Sequence, residues 1–207
     1  MLPALTRFLD RRRLRDARFA PLFERYRGDE LVSLDLETTS LDANVADVLT
    51  IAAVPVDADG VRLSERFVRM VRSERDFGIE SIRVHRILPG ESAAGVGLGE
   101  AIDELALWLG NRPVLGYYVA FDLAVVNRLL RARHGFALPN RPVELAECYA
   151  RTLPVREGNA EPDLRLETIA AKLGIPLMGR HTALGDAVSV GLLYTALQAR
   201  GRRSLRA

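Results

Sequence analysis

The chain has 207 residues, 48% of them hydrophobic and 27% charged, which is ordinary globular composition and enough chain for one compact domain. Its formal charge of +2 predicts no strong overall field, and its one cysteine, Cys148, excludes an internal disulfide and a cysteine-built zinc site. No apolar run approaches the length of a membrane span, and the N-terminus lacks the apolar core of a signal peptide. We therefore expect a cytoplasmic protein with no membrane partner.

The first 29 residues are rich in arginine and differ in composition from the rest of the chain. Leu5, Phe8 and Leu9 are spaced as on one face of a helix, so a helical N-terminal extension is predicted. An amphipathic helix that packs on the domain is the favoured interpretation, and a basic arm that binds nucleic acid or a partner is the alternative. The predicted organisation is an extension at 1–29, a domain of catalytic size at 30–200 and a short basic tail at 201–207.

An apolar run that begins at Leu31 ends in two acids, Asp35 and Glu37, and reads as a buried strand. Because side chains alternate along a strand, these two acids project from the same face. They repel each other unless a cation or a shared proton lies between them, and Mg²⁺ and Mn²⁺ prefer oxygen ligands of this kind. The alternative is a strand that runs into solvent and carries two acids without a function.

The rest of the chain predicts an α/β domain. Apolar runs at 48–56 and 61–71 flank an Asp/Gly-rich turn, so they form an antiparallel meander with the acidic strand. Residues 72–99 look irregular, with a short helical piece at 81–85. The further predicted elements are a helix at 100–109, a strand at 114–119, a helix at 123–134 opened by Asp122, a fifth strand at 143–149 and helices at 164–173 and 183–199. A meander followed by alternating strands and helices indicates a mixed central sheet.

Two further acids lie at the beginnings of predicted helices. Asp122 falls where a strand gives way to a helix, where an acid can be a simple N-cap. Asp186 follows His181 by five residues at the start of the last helix, where the helix dipole favours an acid. Each structural explanation is good by itself, but the coincidence with Asp35 and Glu37 in one chain favours a shared site.

Three segments carry the candidate residues: 34–42, 116–122 and 180–187. Together they resemble the DEDDh branch of the 3′ to 5′ exonucleases, the group that includes the proofreading epsilon subunit of bacterial DNA polymerase III. The order and the spacing of the segments fit, and the resemblance covers roughly residues 30–198. The resemblance implies a ribonuclease H-like fold with a five-stranded mixed sheet, and it makes residues 30–200 an exonuclease domain.

The resemblance also implies roles for the acids and the histidine. Asp35, Glu37, Asp122 and Asp186 would hold two divalent ions, Mg²⁺ or Mn²⁺, with Asp35 as the bridging ligand. His181 would be the general base, which suits a side chain that titrates near the operating pH. Water would then attack the terminal phosphodiester and release a nucleoside 5′-monophosphate.

Other positions are similar to family residues that contact the substrate. The expected contacts are Thr38, Leu41, His85, Ile87, Tyr118 and Phe121. An aromatic residue ahead of a helix, such as Phe121, can instead belong to the core. Relatives commonly have histidine and asparagine where this chain has Tyr117 and Tyr118, so we expect altered contacts to the 3′ end, and a tyrosine can stack on a base.

Three hypotheses follow. The first is a stand-alone exonuclease on single-stranded DNA or frayed 3′ ends, with DNA favoured over RNA, a role in DNA repair or replication, and a DNA polymerase as a conceivable partner. The second keeps the chemistry on RNA or short oligoribonucleotides. The third is a non-catalytic module that binds nucleic acid or a polymerase, and it ranks last because no ligand of the implied site is missing.

Overall fold

The computed structural model describes residues 3–72, 94–154 and 162–204. Within these ranges, one sheet contains the strands β1 (Leu31–Thr38), β2 (Val48–Val56), β3 (Phe67–Met70), β4 (Val114–Gly116) and β5 (Pro142–Glu144) in the order β3-β2-β1-β4-β5. Strand β2 is antiparallel to β1 and β3, whereas β1, β4 and β5 are mutually parallel. The predicted α/β fold with a five-stranded mixed sheet is confirmed.

Helices cover both faces of this sheet. They are α1 (Pro3–Arg13), α2 (Leu98–Leu109), α3 (Val119–His134), α4 (Leu145–Ala150), α5 (Leu166–Leu173) and α6 (Ala183–Ser204), with short 3-10 segments at Ala17–Phe23 and Leu63–Glu65. None of the helices in the described ranges combines the length and the apolar composition that crossing a bilayer requires.

Alternation along β1 separates the two layers of the core. Val32, Leu34 and Leu36 belong to the main hydrophobic cluster, which includes residues of α2 and α3. The opposite face packs against α6, which crosses β1 and β2. Asp35 and Glu37 therefore share the face that α6 covers, as the two-residue spacing predicts.

The N-terminal segment packs into the same core. Phe19, Leu22 and Phe23 are buried members of the main cluster. Arg7 donates to the carbonyl oxygen of Phe23 at 2.9 Å, and Asp10 on α1 accepts the backbone N–H of residue 137 at 3.3 Å. These contacts support the packed-helix interpretation of the arginine-rich segment, while the domain boundary at residue 29 stays a prediction.

Two predicted strand ends were wrong. The strand predicted at 114–119 ends at Gly116, and α3 begins at Val119, so Asp122 lies in the first turn of the helix and Tyr118 takes the N-cap position. The fifth strand predicted at 143–149 stops at Glu144, because the side chain of Glu144 caps a helix there by accepting the N–H of Ala146 at 3.2 Å.

Smaller differences concern lengths. The third strand is Phe67–Met70 rather than 61–71, and the last helix continues from its predicted end at 199 to Ser204. The helices that precede Gly135 and Gly174 end where these glycines adopt φ of 78° and 71°, a conformation in which glycine carries no steric penalty. The helical piece predicted at 81–85 lies outside the described residues.

Replacing Phe19 tests whether the N-terminal segment belongs to the cooperative fold. Phe19 is 0% exposed, and its ring lies 5.2 Å from that of Phe136, so Phe19→Ala should lower the free energy of unfolding by about 3–5 kcal/mol in a urea titration. Phe8, on α1, is 54% exposed, and Phe8→Ala should cost less than about 1 kcal/mol. Equal and small losses in both variants would contradict the shared core.

Candidate active site

The candidate residues gather at one edge of the sheet. Because β1, β4 and β5 are parallel, their carboxyl ends meet there, and crevices at such edges commonly bind ligands. Asp35 and Glu37 occupy the end of β1, Tyr117 follows β4, and Glu144 ends β5. The register between β1 and β2 shifts after Glu37, an irregularity that is frequent beside active sites.

Three carboxylates converge at this edge. One oxygen each from Asp35, Glu37 and Asp186 can be chosen so that all three lie within 4.8 Å of one another. Asp186 reaches this position from the first turn of α6. Clustered carboxylate oxygens are the donor set that hard divalent ions such as Mg²⁺ and Mn²⁺ select, so these residues fit the metal ions that the resemblance implies.

Asp122, the fourth predicted acid, lies next to these three carboxylates but does not belong to the convergent group. Asp122 is buried, and its Oδ1 accepts the backbone N–H of Leu36 at 3.1 Å. That hydrogen bond holds α3 against β1 between the two acids of the strand. Asp122 therefore occupies the same edge, with its second oxygen not engaged by this bond.

The electrostatics of these acids are unfavourable when they are ionised. Burial, reinforced by Asp122, Asp186 and Glu37, raises the pKa of Asp35 well above its usual value. Burial and the charge of Asp186 raise the pKa of Glu37 to about 7. Burial also raises the pKa of Asp122 to about 8, although its hydrogen bond from Leu36 opposes the shift. A cation at this edge would remove that penalty.

Arg180 supplies one positive charge to the site. Its Nη1 donates to Oδ1 of Asp186 at 2.5 Å and its Nη2 to Oε1 of Glu167 at 2.8 Å. Its charge also opposes the rise of the pKa of both Asp35 and Glu37. Arg180 was not among the predicted site residues, although its place directly before His181 in the third matching segment could have pointed to a role.

His181 lies in a tight loop that is packed on the start of α6. It is exposed, and its φ of 63° is unusual for a residue other than glycine. Its backbone N–H donates to Oδ2 of Asp186 at 3.1 Å. A Cβ on Gly185 would lie 2.2 Å from the carbonyl oxygen of Gly179, so only glycine lets the loop approach the helix this closely.

Glu144 is a second residue that the sequence analysis missed. Its Oε2 accepts the N–H of Val119 at 3.0 Å, and its Oε1 accepts the N–H of Ala146 at 3.2 Å. One carboxylate thus caps the beginnings of both α3 and α4 and fixes the helix that carries Asp122. Because residues 143–149 were interpreted as a strand, a capping acid at this position was not considered.

The two tyrosines after β4 differ in their surroundings. Tyr117 donates its hydroxyl to the carbonyl oxygen of Leu164 at 3.2 Å and packs at the edge of the second hydrophobic cluster. Tyr118 is 71% exposed, has a φ of 59°, and holds its ring 4.7 Å from that of Tyr117. In the described ranges, Tyr118 and His181 are the non-glycine residues with positive φ, and backbone strain of this kind clusters at functional sites.

The other expected substrate contacts differ from one another in burial. Leu41 is 94% exposed, and half-buried Thr38 donates its hydroxyl to the carbonyl oxygen of Ser40 at 2.9 Å. Phe121 packs against the main hydrophobic cluster, which is the core alternative that the sequence allowed. His85 and Ile87 lie outside the described residues.

Two curated proteins are similar to this chain in sequence. A segment of DNA polymerase III PolC-type from Bacillus cereus is 26% identical over 166 residues, which covers 80% of this chain and 11% of that protein. DNA polymerase III subunit epsilon from Aquifex aeolicus is 25% identical over 166 residues, which covers 79% of this chain and 77% of that protein. The chain thus spans about a tenth of the length of the PolC-type relative and about three quarters of the epsilon subunit.

Solved structures have the same fold. Cell-death related nuclease 4 (CRN-4) superposes with a TM-score of 0.69 at 17% identity, over 84% of this chain and 64% of that one. Escherichia coli exonuclease I in complex with a dT13 oligonucleotide gives a TM-score of 0.68 at 19% identity, over 86% of this chain and 43% of that one. The family model described as "Exonuclease" matches residues 32–194, a span that contains all four acids and the histidine. Because this match extends over most of the chain, the protein belongs to the exonuclease family.

Proposed function

We propose that the protein is a metal-dependent 3′ to 5′ exonuclease that hydrolyses the terminal phosphodiesters of single-stranded DNA or frayed 3′ ends. The convergence of oxygens from Asp35, Glu37 and Asp186 within 4.8 Å carries this proposal. Membership of the exonuclease family supports the nuclease chemistry. The direction of digestion, the number of ions and the nucleic acid are parts of the proposal.

Asp35, Glu37, Asp122 and Asp186 would hold two divalent ions, Mg²⁺ or Mn²⁺. Bound there, the ions would supply positive charge against the scissile phosphate and the attacking water. The ions would offset the burial and the mutual repulsion that together raise the pKa of Asp35, Glu37 and Asp122. The donor set and the electrostatics therefore favour the same occupant.

His181 would act as the general base through one nitrogen of its exposed imidazole. The hydrogen bond from its backbone N–H to Asp186 ties the loop to the acid group, and the imidazole is exposed on that loop. An imidazole can accept a proton near neutral pH and return it to solvent. The product would be a nucleoside 5′-monophosphate.

The substrate would approach across exposed side chains at the same edge. Tyr118 offers a ring for base stacking, and Leu41 offers an exposed apolar surface. A related fold that holds a dT13 oligonucleotide supports single-stranded DNA as the first candidate, and the polymerase III names of two relatives suggest a DNA polymerase as a partner. Oligoribonucleotides stay the alternative substrate.

The deciding experiment follows the length of the products. Purified protein is incubated with single-stranded DNA labelled at the 3′ or at the 5′ end, with Mg²⁺, with Mn²⁺ and with EDTA. We expect early loss of the 3′ label and a metal-dependent descending ladder on the 5′-labelled strand. Competition between DNA and RNA oligomers of one sequence then decides the substrate. Persistence of both oligomers in the presence of metal would contradict an exonuclease and favour a binding module.

Replacing one acid tests the role of the carboxylate group. Asp35→Asn should abolish nucleotide release, because it removes a ligand charge from the centre of the group, while circular dichroism shows an intact fold. Asp59 is an exposed acid in the turn after β2, so Asp59→Asn is the matched control and should digest the oligomer at the wild-type rate. Retained activity in Asp35→Asn would contradict the proposed site.

Replacing the histidine tests the base. We choose His181→Asn because asparagine tolerates the positive φ at this position, so the backbone of the loop is preserved. The kcat of the variant should fall by a factor of about 10²–10⁴, the range that general base catalysis contributes. Calorimetric Mg²⁺ binding should stay close to the wild-type affinity, and a kcat within threefold of the wild type would exclude this role.

The pH dependence of stability tests the electrostatics. The folded protein raises the pKa of Glu37 to about 7 and that of Asp122 to about 8, so it binds protons that the unfolded chain has released. The metal-free protein should therefore lose stability as the pH rises from about 4 to about 8. Melting temperatures in EDTA should fall between pH 5 and pH 8, and Mg²⁺ should restore more at pH 8 than at pH 5.

The variants Asp35→Asn and Asp59→Asn serve as controls for this measurement. Asp35→Asn should flatten the fall of the melting temperature, because one of the mutually repelling charges is gone, whereas Asp59→Asn should reproduce the wild-type curve. A melting temperature that rises from pH 5 to pH 8 in EDTA would contradict the repulsion among the buried acids.

A further inference from the structure

A groove runs along the outer face of α3, next to the acid edge. The cavity has a volume of about 620 Å³ and lies between α3 and the loop that follows β1. Ala43 and Asn44 line it from the loop, and Ala120, Ala124 and Arg131 are among the residues that line it from the helix. Nothing in the proposed chemistry uses this groove.

The wall of the groove is held in place by Arg128. Its Nε donates to the carbonyl oxygen of Ala43 at 2.9 Å, and its Nη2 donates to the carbonyl oxygen of Ala46. Asp42 further ties the loop by accepting both the backbone and the side-chain N–H of Asn44, each at 2.9 Å. The groove is therefore preformed, which lowers the ordering cost of binding.

One end of the groove lies at the start of α3, near the acid edge. The groove begins at Ala120, two positions before Asp122, and it ends at Arg131. The helix rises roughly 16 Å between Ala120 and Arg131. At a rise of about 3.4 Å per nucleotide in a stacked strand, roughly five nucleotides would cover that distance.

The charge of the groove selects an anionic occupant. Two arginines, Arg128 and Arg131, are among its lining residues, and none of the described residues that line it is acidic. Arg131 is exposed, and its guanidinium has no hydrogen-bond or ion-pair partner within the described ranges. Small side chains at Ala120 and Ala124 leave room beside the arginines.

We propose that this groove binds the single-stranded nucleic acid that lies 5′ of the terminal nucleotide, with Arg131 contacting a backbone phosphate. The inference rests on the proposed function and deepens it, because it assigns a binding site to the part of the substrate that is not cleaved. An arginine that contacts phosphate adds affinity without sequence preference. The groove would therefore make the protein favour longer single strands over dinucleotides.

Binding of labelled oligonucleotides in EDTA tests the groove without hydrolysis. Fluorescence anisotropy compares a 5′-fluorescein dinucleotide with an octanucleotide of thymidylate on the full chain. The wild type should bind the octanucleotide more tightly. Arg131→Ala should weaken that binding roughly threefold to fivefold and reduce the slope of log K against log salt by about 0.7.

A second variant and a control separate the groove from general charge. Ala124→Trp fills the groove from an exposed helical position and should reduce octanucleotide affinity without any change of charge. Arg141 is exposed directly before β5, at the end of the sheet opposite the acid edge, and provides the control. Arg141→Ala should keep the wild-type preference for length.

The outcomes distinguish the groove from the proposed function. Wild-type affinity of both Arg131→Ala and Ala124→Trp for the octanucleotide would overturn the groove, whatever the cleavage assay gives. Octanucleotide binding that both variants weaken, in a protein that releases no nucleotide with Mg²⁺ or Mn²⁺, would support the groove and contradict the exonuclease. A wild type that binds both oligomers equally would also overturn the groove.

Discussion

Repulsion among buried carboxylates is the constraint on which the candidate site depends. The fold brings Asp35, Glu37 and Asp186 together at the end of β1, where burial raises the pKa of the first two. Such a group is unfavourable for an apolar core, and it persists because the neighbouring backbone determines its place. Asp186 is held through the loop that packs on α6, and Asp122 is held by the N–H of Leu36. A bound cation would relieve this repulsion, and that relief would contribute to the free energy of cation binding.

The capping of two helices by Glu144 shows how the sheet positions the chemistry. The parallel strands β1, β4 and β5 end at one edge, and Glu144 at the end of β5 caps both the helix that carries Asp122 and the short helix that follows β5. Burial raises the pKa of Asp122, and the charges of the neighbouring Glu144 and Glu37 add to that rise. Structural and chemical roles therefore overlap at this edge. A substitution of Glu144 on β5 would also remove a cap from α3.

Sequence reasoning predicted the fold and the pairing of Asp35 with Glu37 because these patterns are local, whereas the roles of Asp122 and Asp186 came from the family resemblance. The two-residue spacing of Asp35 and Glu37 determines that they share a face, and the meander and most helices follow from apolar periodicity and from the glycines that end α3 and α5. The strand predicted at 143–149 was wrong because its apolar residues also suit a short helix, and a side-chain cap decided between the two. Glu144 was missed because residues 143–149 were interpreted as a strand and because its other partner, the N–H of Val119, is 25 residues away in sequence. Arg180 was missed because its anchor Glu167 lies on another helix, although its place beside His181 was visible.

The ion pair between Arg180 and Asp186 has a consequence for how metal would enter the site. A guanidinium already satisfies one oxygen of Asp186, and its other end is anchored to Glu167 on α5. Loading would then be an exchange of one cation for another, and the displaced arginine would stay tethered nearby through Glu167. The apparent metal affinity would therefore be a difference between two attractions, and ionic strength would affect it through the arginine as well as through the metal.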